Sequence, residues 1–222
     1  MLTIGIDPGN NGGATILDSE GRGVAWAAWR PKKGGFIFVA PEYAEKANDL
    51  AGVGVCLGRL AHDLGASAAV SIEGLIIRKT GRVAPSAILT LAFGAGALYG
   101  GLASVVTVGS LHRPTPEKWA RLCGGTSPKQ SEAAFRKAWT IIPWTCYPPD
   151  RESVGSFECM GAIGEAAMMA LWARNHSEAD AKAEAKATQA RTEKEAARRI
   201  ARDAEAETEA QWARLGVFDE AD

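Results

Sequence analysis

The sequence predicts an α/β fold, with five strands flanked by helices and a long polar helix at its C-terminal end. Three observations predict it. The chain opens on alternating residues that form a hairpin, with Ile4 and Ile6 set against Thr3, Gly5 and Asp7. Strand-like runs then recur between longer segments of helical period. From Glu178 the composition shifts to Ala, Glu, Lys and Arg, with no Gly or Pro through Leu215. With 222 residues and 46% hydrophobic content, one globular domain is expected over residues 1–177. Residues 178–222 form a helical or partly disordered tail. Large apolar residues are nearly missing there before Trp212, so a heptad coiled coil is poorly supported.

The first strand, residues 2–7, stops at the turn dipeptide Pro8-Gly9 and restarts as a second strand over 14–17. Asp7 ends the first strand before a glycine-rich turn. Alone, it reads equally as a turn residue or as a ligand for a metal or phosphate. Residues 23–29 read as a third strand, 31–35 as a loop, and 36–39 as a short strand or part of that loop. A helix is expected over 41–64, with Tyr43, Ala47, Leu50, Leu57, Leu60 and Leu64 near one face. Gly52 and Gly54 weaken its middle, and Gly65 stops it.

The fourth strand, 68–73, repeats the pattern of the first. Val70 and Ile72 point one way, and Ala69, Ser71 and Glu73 the other. Both strands end in an acid on their small-residue face. Side by side and parallel, with strands about 5 Å apart, they bring Asp7 and Glu73 close enough to share a divalent metal. Two like charges without a counterion are costly, so the pair implies a cation or a strongly raised pKa. Arg78, Lys79 and Arg82 follow in a polar loop, read either as solvated charge or as a grip on phosphate beside Glu73.

Residues 85–101 read as a glycine-rich helix with Phe93, Gly94, Gly96 and Tyr99, and 104–108 as the fifth strand. Thr115 and Pro116 open a short helix as cap and first residue. Another helix runs from Ser127-Pro128-Lys129 to Trp139. Lys129 in a first turn opposes the helix dipole, which a docked anion would explain; a tolerated surface lysine is the other reading. The last core helix, 156–175, carries Glu158 and Glu165 seven apart on one face.

Charge is uneven. Residues 1–177 hold 17 Lys/Arg and 14 Asp/Glu, net +3, and 178–222 hold 8 and 12, net -4. A mildly basic body permits a polyanionic partner without requiring one. Cys56, Cys123, Cys146 and Cys159 form no Cys-x-x-Cys pair, which argues for reduced thiols rather than a zinc site or disulfide framework. No signal peptide precedes the first strand, and the most apolar later stretch, 87–108, is broken by glycines. A soluble, cytoplasmic protein without membrane partners is expected.

In this order the elements resemble the ribonuclease H-like fold, a mixed five-stranded sheet with acids ending strands one and four. More finely, the chain resembles the RuvC family of Holliday-junction resolvases, especially its phage and prophage branch. The residues that carry this are Ile4-Gly5-Ile6-Asp7-Pro8-Gly9 with Gly12-Gly13-Ala14, and Ser71-Ile72-Glu73. Phe93-Gly94 and Thr115-Pro116-Glu117-Lys118-Trp119 follow. Then come Lys129 with Arg136-Lys137-Ala138, and Gly164-Glu165-Ala166. The resemblance spans about residues 2–175 and leaves out the tail. It implies paired nicking of four-way DNA junctions by a homodimer, in a bacterial or phage-infected cell, with Mg²⁺ as cofactor and Mn²⁺ as substitute. Two ions would sit between clustered carboxylates, one activating water and one stabilising the departing 3′ oxygen. Asp7 would bridge them, Glu73 would hold one, and Lys118 would join Arg78, Lys79, Arg82 and Lys129 at the DNA.

The last helix departs from the family pattern. Two acids three or four residues apart are expected there, and Glu165 fits the second. Gly161 and Ala162 occupy the positions of the first and cannot ligate. Glu158 lies about 10 Å further along the axis, and Asp150 in the preceding loop is a further candidate. The expected catalytic and metal set is therefore Asp7, Glu73, Glu165 and Glu158. Rival functions are a branched-DNA binder with a degraded metal site and another ribonuclease H-like nuclease for flaps or RNA–DNA hybrids. An actin-like or sugar-kinase ATPase would need a duplicated fold that this length does not supply.

Overall fold

A computed structural model of the chain describes residues 1–73, 85–123, 131–149 and 151–214. Its strands are β1 (Leu2–Asp7), β2 (Gly12–Leu17), β3 (Gly23–Lys32), β4 (Gly35–Ala40), β5 (Tyr43–Ala47), β6 (Ser67–Ile72) and β7 (Thr107–His112). Its helices are α1 (Leu50–Leu64), α2 (Pro85–Ala103), α3 (Pro116–Ala120), α4 (Ser131–Ile141), α5 (Arg151–Val154) and α6 (Phe157–Arg214), with a 3₁₀ turn over Arg121–Cys123. One sheet holds the strands in the order β5-β4-β3-β2-β1-β6-β7. β1 is antiparallel to β2 and parallel to β6, and β6 is parallel to β7. The inner order β3-β2-β1-β6-β7, an antiparallel meander joined to two parallel strands, is the ribonuclease H-like arrangement.

Among the described residues seven strands stand where five were expected, and the two additions lie beyond β3. β4 is a full strand, and the expected helix over 41–64 begins only at Leu50. Asp49 caps it there, accepting the Gly52 N–H at 2.8 Å. Residues Tyr43–Ala47 instead pair antiparallel with β4. The expected fifth strand also moves later, to Thr107–His112. Ser104 and Val106 are still held by the end of α2, through N–H bonds to the Gly100 and Leu102 carbonyls. α4 is described from Ser131; the expected start at Ser127 lies outside the described residues, as do Arg78, Lys79, Arg82, Lys129 and Asp150.

Two apolar layers follow from the alternation of the central strands. Ile4, Ile6, Val70 and Ile72 face α1 and α2, where Val53, Leu57, Leu98 and Leu102 are buried with them. The small-residue face meets α6. Gly5 is opposite Ala166 and Ala170; a Cβ there would stand 1.8 Å from the Ala166 carbonyl oxygen. Gly13 does the same one strand over, 2.5 Å from the Ile163 nitrogen. Thr15 fastens the contact by donating its hydroxyl to the Ile163 carbonyl at 3.0 Å. The helix is buried almost all round from Ala166 to Ala170, with Trp119, Ala138 and Met168 forming the cluster behind it.

The chain divides into two compact units, Met1–His176 and Ser177–Asp222. In the second, Gln189 bonds Glu193 one turn on at 2.9 Å, and the described side chains are exposed. Among the described residues no helix is long and apolar enough to cross a membrane.

The close approach makes a mutational prediction. Gly5→Ala forces a methyl into the α6 backbone and should destabilise by about 2–3 kcal/mol. Gly100→Ala places its methyl in open space within α2 and should stabilise by about 0.5–1 kcal/mol. Chemical denaturation of the two variants checks both signs; equal effects would refute the packing.

Candidate active site at the carboxyl edge of the sheet

Two strands and one helix bring the acids together. Asp7 is the last residue of β1 and Glu73 follows the last residue of β6. The parallel register pairs Ile6 with Ile72, and the Glu73 N–H donates to the Ile6 carbonyl at 3.3 Å. The two acids therefore emerge side by side. Glu165 comes from α6, between Gly164 and Ala166, where the helix lies on the glycine floor of β1 and β2. This contact places Glu165 in electrostatic range of Asp7.

The β1–β2 loop shapes the other side. Gly9 donates its N–H to Asp7 Oδ1 at 3.2 Å. Trp29 on β3 reaches under the loop and donates its indole N–H to the Gly9 carbonyl at 3.0 Å. Gly12 leaves room for that ring, because a Cβ there would lie 2.4 Å from it.

The electrostatics are those of crowded carboxylates. Burial pushes the Asp7 carboxyl well above its ordinary range, and Glu165 and then Glu73 push the same way; the Gly9 N–H opposes them. Burial also raises Glu73, opposed by a hydrogen bond from the Trp119 indole at 3.3 Å and assisted by Glu117. Among the described residues no lysine or arginine forms an ion pair with Asp7 or Glu73. All-oxygen donors crowded in this way fit a hard divalent cation such as Mg²⁺ or Mn²⁺. The fit is incomplete, since among the described residues no three His, Cys, Asp or Glu side chains converge closely enough to form a finished metal site.

Glu158 does not join this trio. It is exposed in the first turn of α6, and the Asn11 side-chain amide donates to it. Charges acting on Asp7 come from Glu165 and Glu73. Gly161 and Ala162 are buried, and the Ala162 carbonyl carbon would lie 2.6 Å from a Cβ on Gly13. The place where a second helix acid was expected is thus taken up by helix-to-strand contact. Lys118 is exposed on α3, with its ammonium 5.9 Å from the centre of the Trp172 ring.

Three contributors escaped the sequence reading of the site. Trp119 and Glu117 act on Glu73 from α3. Arg113 shares with Glu73 a pocket of about 350 Å³ whose walls include Ile72, Ala92, Tyr99 and Thr115. Trp119 belongs to the Thr115–Trp119 motif, but its bond to Glu73 joins α3 to the residue after β6, a tertiary contact that local pattern does not encode.

No family model matches the chain, and no curated protein matches it. Among solved structures, the chain is similar to Thermus thermophilus RuvC at 16% identity, with a TM-score of 0.42, covering 79% of this chain and 97% of that one. It is also similar to T. thermophilus RuvC in complex with Holliday junction substrate, at 12% identity and a TM-score of 0.40, covering 78% and 91%. The ribonuclease H-like fold is seen in the sheet order and strand directions themselves.

Crowded carboxylates make metal-free stability depend on pH. A folded pKa above the unfolded one means that the folded chain holds an extra proton between the two values. The stabilisation is full below the ordinary carboxylate range and is lost as pH rises through the raised Asp7 pKa. In EDTA at neutral pH, Asp7→Asn should therefore melt above the wild type by roughly 2–4 °C, the shift about 1 kcal/mol produces in a domain this long. The gap should close at pH 3. A variant that melts lower at neutral pH would contradict the crowding.

Proposed function

We propose that the chain is a divalent-metal-dependent nuclease that cuts phosphodiester bonds in branched DNA, four-way junctions foremost, as a homodimer. The observation that carries the reading is the pair of strand-end acids, Asp7 and Glu73, side by side at the carboxyl edge of a ribonuclease H-like sheet with Glu165 in electrostatic range of Asp7, and, among the described residues, no ion pair on Asp7 or Glu73. The resemblance of the motif order to the RuvC family supplies the substrate class. Mg²⁺ or Mn²⁺ bound there would activate water and stabilise a departing 3′ oxygen.

The protein's own residues do the rest. Asp7, which feels the charge of both Glu165 and Glu73, would be the ligand common to the set. The Gly9 N–H orients its carboxylate, and Trp29 holds the loop that carries Gly9. The Trp119 indole fixes Glu73 from the opposite side. Arg113, exposed beside Glu73, is placed to hold a phosphate of the strand entering the pocket.

A second reading is favoured by one observation. The helix offers no acid at 161 or 162, and no finished metal site stands among the described residues. A protein of this fold could bind branched DNA without cutting it.

One experiment separates the readings. A labelled four-way junction incubated with the protein and Mg²⁺ should acquire paired nicks, abolished by Asp7→Asn and reduced on the order of 10²–10³-fold by Glu165→Gln. Glu158→Gln should cost less than about tenfold, because Glu158 bonds Asn11 rather than facing Asp7. Junction binding without nicks establishes the binder; nicking that survives Asp7→Asn removes the metal site from the mechanism.

A further inference from the structure

The two strands added beyond β3 give the sheet a feature on its active edge. β3 runs to Lys32 and β4 starts at Gly35, so Lys33 and Gly34 form the tip of the β3–β4 hairpin. Gly34 has φ of +80° and no atom within 4 Å of a would-be Cβ, as befits a tight turn in open solvent. Arg30, Lys32 and Lys33 are all exposed. Residues 30–35 contain three cations and no acid. Among the described residues none of the three cations forms an ion pair.

Register places this tip with respect to the acids. Asp7 pairs with Gly13, Gly13 with Ala28, and Gly12 with Trp29. Arg30 and Lys32 thus continue past the same edge of the sheet at which Asp7 ends. β3 lies two strands from β1, about 10 Å to the side, and Lys32 stands four residues beyond Ala28, the residue level with Asp7, about 13 Å outward. The separation is about 16 Å, equivalent to about five base pairs along a duplex.

The hairpin is also tied to the site. Gly155, at φ of +79°, precedes the Ser156 that caps the first turn of α6 by accepting the Cys159 N–H at 3.2 Å. The Arg30 guanidinium lies across Gly155, where a Cβ would be 2.2 Å from its central carbon. The base of the finger therefore rests on the turn that leads into Glu158 and α6.

We infer that the β3–β4 hairpin is a backbone-gripping finger whose Arg30, Lys32 and Lys33 hold DNA phosphates about five base pairs from the carboxylate site. This rests on the nucleic-acid reading of that site. A hairpin tip has no room to read base edges with two lysines, so its grip is independent of sequence. Exposed, acid-free cations beside an acidic site give the substrate a place to bind where its phosphates are attracted rather than repelled.

The test is the salt dependence of binding to a fluorescent four-way junction, with Ca²⁺ replacing Mg²⁺ to hold cleavage off. Losing two phosphate contacts lowers the slope of log K against log salt by about 1.8. Lys32→Ala/Lys33→Ala in the full chain should show that drop and bind several-fold more weakly at 100 mM salt, on junctions of any sequence. Lys32→Arg/Lys33→Arg should keep the wild-type slope. Arg59→Ala, which removes a cation located 4.0 Å from Glu45 on another element, should keep it too. An unchanged slope in the double alanine variant overturns the finger. A wild type that binds no junction overturns both the finger and the reading beneath it. A slope that drops in a protein that never nicks in Mg²⁺ leaves the finger standing and removes the nuclease.

Discussion

The fold depends on one contact, the backbone of α6 laid directly on β1 and β2. Helices pack on sheets about a side chain apart when side chains intervene. Here Gly5 and Gly13 remove them, and a methyl at either would collide with the helix backbone. Burial of Ala166, Ala167 and Ala170 on the helix matches the small residues below. The result is a rigid platform on which a helix carboxylate, Glu165, is delivered to the ends of two parallel strands. Had β1 carried Val at position 5, the helix would stand away from the sheet and the acids would not meet.

The same contact sets a limit on the site. A helix pressed onto a sheet has no freedom to turn another residue inward. Ala162 is used up against Gly13, and Glu158, a turn earlier, leaves the sheet edge and bonds Asn11 instead. Three carboxylates therefore carry the site's charge on the helix side and the strand ends. Burial and mutual repulsion hold Asp7 protonated more readily than a free carboxyl, a repulsion that a bound cation would relieve. Positive charge is supplied from elsewhere: Arg113 in the pocket wall, and the hairpin that extends the sheet past β3.

Much of this was legible in the chain. Alternation over β1 and β6 placed Asp7 and Glu73 on the same face, because the period of two is strict when one face must be apolar. The order of strands and helices along the chain resembles the ribonuclease H-like fold, and that resemblance implied the mixed inner sheet. The edge of the sheet was not legible. Tyr43, Ala44, Glu45, Lys46 and Ala47 pair with β4, yet their spacing also suits a helix, and only the capping Asp49 marks the true start. Likewise Val105 and Val106 look like a strand because they are β-branched, while the carbonyl of Leu102 keeps them in the turn that ends α2. The contributions of Trp119, Glu117 and Arg113 depend on how α3 folds back, a tertiary fact that local pattern does not encode. Glu158 and Glu165 share a helix face by spacing, but the strand packing that separates their roles is set by glycines about 150 residues away in sequence.

The central claim is that Asp7, Glu73 and Glu165 form one cation site. Anomalous diffraction from crystals soaked in Mn²⁺ tests it most directly. The account predicts a manganese peak within about 2.5 Å of an oxygen from each of Asp7 and Glu73, with Glu165 completing the shell directly or through water, and no peak in crystals of Asp7→Asn. Manganese bound at Glu158 and Asn11 instead, or no site at this edge at a concentration that saturates ordinary carboxylate sites, would contradict it.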